Sequence, residues 1–154
     1  MEEELKKLNQ ISDFFKKMNN KVRLLDLIES AKIEYDKYNY DSAKNLLLDA
    51  YNINAENAVV LRGLGCVEQF ENNFDGAIEY FKKALEFSEK KEVEYTLIGM
   101  AYYLQDKLDD AVNYFNLAID ENDSYDKAYE GRNQAMLENH LKIIDLQEAL
   151  KKYF

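Results

Sequence analysis

The side chains that ordinarily carry chemistry are few in this sequence and poorly placed for it. There is one cysteine, Cys66, and one histidine, His140. No serine or cysteine motif lies near His140, so it lacks the nucleophile–base pairing that covalent catalysis requires. It reads as a surface or end-cap residue. No Cys/His spacing suits a zinc site, and no Gly-rich loop suits a phosphate. The 30 acidic residues are scattered as on the solvated faces of helices. The expectation is a chain that is not an enzyme, needs no cofactor or metal, and acts by binding.

Charge narrows the partner. The formal net charge is −10, which repels a nucleic-acid backbone or an anionic bilayer and leaves protein segments as guests. No run approaches the roughly 18 apolar residues of a membrane helix, so membrane insertion is not expected. A single cysteine has no internal partner, which fits a reducing compartment, and the expected location is cytoplasmic.

What must position any binding surface is helical. Proline is absent and glycine is scarce, at 5 residues, and these two are the poorest helix formers. No sustained apolar/polar alternation or hairpin turn marks a strand. Between Leu61 and Ile119 one pattern occurs twice. Gly65 answers Gly99, Asp75 answers Asp109, Ala77 answers Ala111, Phe81 answers Phe115 and Ala84 answers Ala118, every pair at the same interval. A looser copy precedes them, with Asp41, Ala43 and Ala50 in phase. A fixed period of this size, between about 20 and 50 residues, marks stacked helical hairpins in a chain without strand signals.

The fold class expected is therefore all-α, a solenoid of three hairpins with helical end pieces. Residues 1–20 form an N-terminal amphipathic helix carrying Leu5, Leu8, Ile11, Phe15 and Met18, with a break at Asn19-Asn20 and Asn20 as the next cap. Residues 21–123 hold the hairpins, at about 24–57, 58–91 and 92–123, turning at Tyr38-Asn39, Asn72-Asn73 and Asp106-Lys107. Residues 124–154 form a degenerate repeat and cap, where Ser124 can start a helix and Asn133 stands where the period calls for a small residue.

The pattern resembles the tetratricopeptide repeat. Leu61, Leu64 and Gly65 followed by Ala77, Phe81 and Ala84 match that family's positions, as do Tyr95, Ile98 and Gly99 followed by Ala111, Phe115 and Ala118. The closing proline of that family is replaced by Ala55, Glu89 and Asp123. The resemblance implies a concave surface lined by the first helix of each hairpin. Carried over by phase, it assigns Leu25, Ile28, Lys32 and Tyr35, then Val59, Arg62, Cys66, Gln69 and Phe70, then Val93, Thr96, Met100, Tyr103 and Leu104, with Lys127, Glu130 and Gln134 from the cap. Such a stripe is more apolar than a solvated groove needs, and points to a protein or peptide segment as partner. Arg62, Gln69 and Lys32 would satisfy guest carbonyls or carboxylates, and Cys66 would serve as a small apolar wall.

Two occupants remain open: a segment of another protein, or the chain's own N-terminal helix, folded into its groove or pairing two copies as a homodimer. The clamp by which some family members grip acidic tails is not expected, since its places hold Ile28, Lys32, Gly63, Val93 and Leu97, with one basic residue among them. The layout and the run Gly63–Phe70 are similar to secretion chaperones that hold apolar translocator segments.

Overall fold

The computed structural model describes residues 1–151. The described residues form seven helices: α1 (Glu2–Asp36), α2 (Tyr40–Ile53), α3 (Ala58–Phe70), α4 (Phe74–Phe87), α5 (Lys91–Leu104), α6 (Leu108–Glu121) and α7 (Asp126–Lys151). No strand occurs among the described residues. Each helix packs chiefly on its chain neighbours, α1 on α2, α3 on α4, α5 on α6 and α6 on α7. That succession is an all-α solenoid.

The repeat period is visible in the core. Ala43, Ala77 and Ala111 are fully buried, as are Ala50, Ala84 and Ala118. Small residues at these crossings let paired helices approach, and Leu47, Phe81 and Phe115 fill the space between them. Gly65 and Gly99 face the same aromatics from the preceding helix. A Cβ on Gly65 would lie 2.5 Å from the Phe81 ring, and one on Gly99 would lie 2.9 Å from Phe115. Both glycines are required by close approach.

The turns repeat as well. Tyr38, Asn72 and Asp106 have φ of 65°, 60° and 62°, the left-handed conformation that ends many helices. After each, the next amide reaches back into the last helical turn, from Asn39 to the Glu34 carbonyl at 2.9 Å, from Asn73 to Glu68 at 2.9 Å, and from Lys107 to Tyr102 at 3.0 Å. These bonds satisfy carbonyls the helix ends leave open. Asn57 caps α3 through bonds of 3.0 Å from both Val59 N and Val60 N.

Three expectations need correction. The break at Asn19-Asn20 does not occur, and α1 runs through both residues. Asn costs a helix only about 0.7 kcal/mol relative to Ala, and no Gly or Pro stands nearby to stop the chain. Ser124 does not cap α7; its hydroxyl donates to Asp123. The degenerate end keeps more of the phase than expected: Gly131, two repeats after Gly63, would set a Cβ 2.5 Å from Phe115, as Gly63 would at 2.8 Å from Leu47. Ala135, one full repeat after Ala101, is also fully buried. The tail expected to be helical from Leu141 is helical through Lys151; residues 152–154 lie outside the described residues.

Candidate functional site

The first helices of the hairpins line two adjoining cavities on one face of the solenoid. The first, of about 310 Å³, is walled by Ile28, Ala31, Lys32 and Tyr35 of α1, Leu47 of α2, and Val59, Arg62, Gly63 and Cys66 of α3. The second, of about 590 Å³, is walled by Arg62 and Cys66, by Val93, Thr96, Leu97, Met100 and Tyr103 of α5, and by Phe115 of α6. Tyr125 and the α7 residues Lys127, Glu130, Gly131 and Gln134 close its far side. Arg62 and Cys66 belong to both cavities and form the ridge between them.

Thirteen of the predicted lining residues are thus brought together: Ile28, Lys32, Tyr35, Val59, Arg62, Cys66, Val93, Thr96, Met100, Tyr103, Lys127, Glu130 and Gln134. Four are not. Leu25 stands beside Ile53 and Asn57 in a separate shallow cleft. Phe70 stacks on Tyr40 with ring centroids 4.4 Å apart and meets Tyr35 edge-on at 5.4 Å, so it ties α3 to α1 and α2. Leu104 is half exposed at the end of α5. Gln69 lines neither cavity, and its Oε1 is buried without a protein hydrogen-bond partner. The chain's own N-terminal segment does not fill the groove, because every residue from 1 to 23 is exposed.

The ridge holds the main polar feature. Arg62 Nε donates to both carboxylate oxygens of Glu94 at 3.1 and 3.0 Å, and Nη2 donates at 2.5 Å. Glu94 is fully buried, and the Arg62 side chain is 28% exposed. The hydrogen bonds to Glu94 hold the Arg62 pKa above its ordinary value. Arg62 is therefore not a free donor awaiting a guest. The pairing is side-on and leaves the outer Nη1 edge of the guanidinium as its remaining donor set.

Glu94 was invisible to a reading of carboxylates as solvated. The signal was in the period: Val60 and Ala128, one repeat to either side, are both fully buried. Glu94 occupies a core position and requires a partner there. Thr96, 2% exposed, turns its hydroxyl back to the Glu92 carbonyl at 2.8 Å. Tyr103 donates to Glu138 at 2.6 Å, a bond that raises its pKa and joins α5 to α7. Burial pushes the Cys66 thiol up to about 11, which makes it a wall residue and a poor nucleophile. What remains toward solvent is largely apolar, with Val59 48% and Met100 43% exposed. Such a surface can accept apolar side chains, with Lys32, Lys127 and Glu130 at its edges. Among the described residues no cluster of His, Cys, Asp and Glu could hold a metal, and no helix is long and apolar enough to cross a membrane.

A sequence profile described as tetratricopeptide repeat matches residues 63–91 and 95–128. No curated protein matches the chain in sequence. Among solved structures, the chain is similar to the Arabidopsis OM64 TPR domain, at 18% identity over 75% of this chain and 96% of that one, with a TM-score of 0.68. It is similar to the first TPR of Spaghetti (RPAP3) bound to the HSP90 peptide SRMEEVD, at 15% identity over 77% and 94%, with a TM-score of 0.69. It is also similar to the Yersinia enterocolitica type III secretion chaperone SycD in complex with a peptide of the translocator YopD, at 15% identity over 75% and 94%, with a TM-score of 0.68. At these identities the likeness is one of fold.

Proposed function

We propose that this chain, which carries tetratricopeptide repeats over residues 63–91 and 95–128, is a non-catalytic scaffold that binds a segment of a partner protein along its concave face. The observation that carries this reading is the pair of adjoining cavities with apolar walls at Ile28, Val59, Val93 and Met100. An extended or helical guest would place one apolar side chain in each cavity and cross the Arg62 ridge between them. At that ridge the outer guanidinium edge would donate to a guest carbonyl. The lone thiol of Cys66 fits action in a reducing compartment, the cytoplasm.

The guest favoured is apolar. The HSP90 peptide of the Spaghetti complex ends in acidic residues, but here the charge of Arg62 is offset by Glu94 and Val93 and Leu97 offer no positive charge. The peptide of the SycD complex comes from a translocator, and the apolar walls here make a guest of that general kind, an apolar stretch of a larger protein, the second reading.

The test is a display library of random peptides panned on the immobilised full chain. Selected peptides should be rich in apolar anchors. Their binding should fall at least tenfold with Met100→Glu, in the second cavity, and be unchanged with Lys82→Ala, on an exposed face of α4. Peptides that bind Met100→Glu as tightly as wild type would refute the groove as the site.

A further inference from the structure

Six of the exposed large apolar side chains of α1 fall on one line. Leu8, Ile11, Phe15, Met18, Val22 and Leu25 follow one another at alternating spacings of three and four residues. Each is between 45% and 62% exposed. No residue from 1 to 23 is even partly buried; only Lys17, Asn20 and Lys21 stand beside Ile53 and Asn57 in a shallow cleft, and the apolar face of this part of α1 is uncovered. A strict period of 3.5 over three heptads is the narrow seam of two helices wound around each other. A helix lying on a globular body or a bilayer carries a broader apolar face. The heptad positions just outside the line, Glu4 and Glu29, are charged and bound the seam.

We propose that two copies of this chain pair through this seam in antiparallel orientation. In that register the six positions form three kinds of layer, Leu8 against Leu25, Ile11 against Val22, and Phe15 against Met18, with none left over. Half-exposed apolar side chains offer roughly 100 Å² each. With Leu5 and Phe14, 59% and 63% exposed on the flanks, the pair buries on the order of 1,600 Å², the standard size of a stable association.

Charge decides the orientation. Residues 1–25 carry six basic and four acidic side chains, so the rest of the chain holds −12 while the whole holds −10. Parallel pairing would set two strongly acidic bodies side by side at one end. Antiparallel pairing places them at opposite ends of a seam about 25 Å long, several times the ~8 Å screening length at physiological salt. The same acidic body disfavours an anionic bilayer as the occupant of the seam.

Sedimentation equilibrium on the full chain tests the pairing. The expected result is a reversible dimer at micromolar concentration. Phe15→Ala/Met18→Ala, which keeps helix propensity, should raise its dissociation constant at least tenfold while the thermal melt of the solenoid stays unchanged. Orientation is read by oxidising mixtures of Cys66→Ser chains carrying Leu8→Cys or Leu25→Cys, where mixed cross-linked dimers are expected. A chain monomeric at 100 µM, a dimer indifferent to the double alanine variant, or a monomer that sediments with phosphatidylserine-containing vesicles would overturn the pairing. Leu8→Cys chains cross-linking to themselves instead would overturn the antiparallel arrangement.

Discussion

Removing Arg62 should destabilise the solenoid more than its position at the groove suggests. In Arg62→Leu the Glu94 carboxylate keeps its fully buried place but loses all three hydrogen bonds it accepts from the guanidinium. Stripping one partner from a buried ion pair costs about 3–5 kcal/mol. Arg62 is itself 28% exposed, so water can enter along the vacated path and the lower end, ~3 kcal/mol, applies. For a domain of this size each kcal/mol moves the melting temperature by roughly 2–4 °C, which puts the expected fall at roughly 6–12 °C by circular dichroism at pH 7. A further outcome follows from the same cause. Glu94→Val/Arg62→Leu, which restores at 94 the residue type found at 60, should recover most of the loss, since a buried pair exchanged for apolar residues is often neutral. A melt of Arg62→Leu within about 2 °C of wild type would refute the reasoning, and would mean that Glu94 is hydrated in the folded chain.

Other perturbations separate packing from binding. Tyr38→Asn should raise the melting temperature by about 2–4 °C, because Tyr38 holds φ 65° where the sister turns use Asn72 and Asp106; no gain would show that the Tyr38 ring, 6.4 Å from Tyr40, offsets its strain. Gly65→Ala should cost roughly 1–2 kcal/mol net of its helix-propensity gain, since the new methyl would meet the buried Phe81 ring at 2.5 Å; an unchanged denaturant midpoint would refute this. Phe70→Ala should lower stability by about 1 kcal/mol through loss of its ring contacts yet leave peptide affinity intact, and Met100→Glu should do the reverse. At pH 8 Cys66 should react with a disulfide reagent roughly 100-fold more slowly than a free cysteine, because a thiol at about 11 holds that much less thiolate; on raising the pH toward 11 its rate should climb. Reaction at the free-cysteine rate would show that the ridge opens.

Most of the fold was legible because one steric problem recurs in every hairpin and is solved each time with the same residues. Ala77 and Ala111, Phe81 and Phe115, and Gly65 and Gly99 are the small and large halves of one contact, and their burial is the same in both repeats. The period also reaches Gly131, two repeats after Gly63, which faces Phe115 from the following helix as Gly63 faces Leu47. The groove was legible in part. Helical spacing identifies which side of a helix faces the concavity, but cavities form only where neighbouring helices converge along their middles. Phe70 and Leu104 are the last residues of α3 and α5, so the same stripe carries them to the rim. Glu94 shows the opposite failure, a residue whose type hides its place, although the period places it among buried positions.

The N-terminal helix was misread for a local reason with a larger consequence. A break at Asn19-Asn20 would reset the helical face, and the apolar residues before and after it would bear no fixed relation. With α1 unbroken, Leu8 through Leu25 lie on one line, and Ile28, Lys32 and Tyr35 of the first cavity follow close beside its continuation. One stripe therefore has two surroundings. From Ile28 onward the other helices wall it into a groove; through Leu25 its apolar residues stay about half exposed among the described residues. Periodicity determines the stripe, but the point at which α2 and α3 begin to pack determines where groove ends and free seam begins, and that point depends on contacts far apart in sequence.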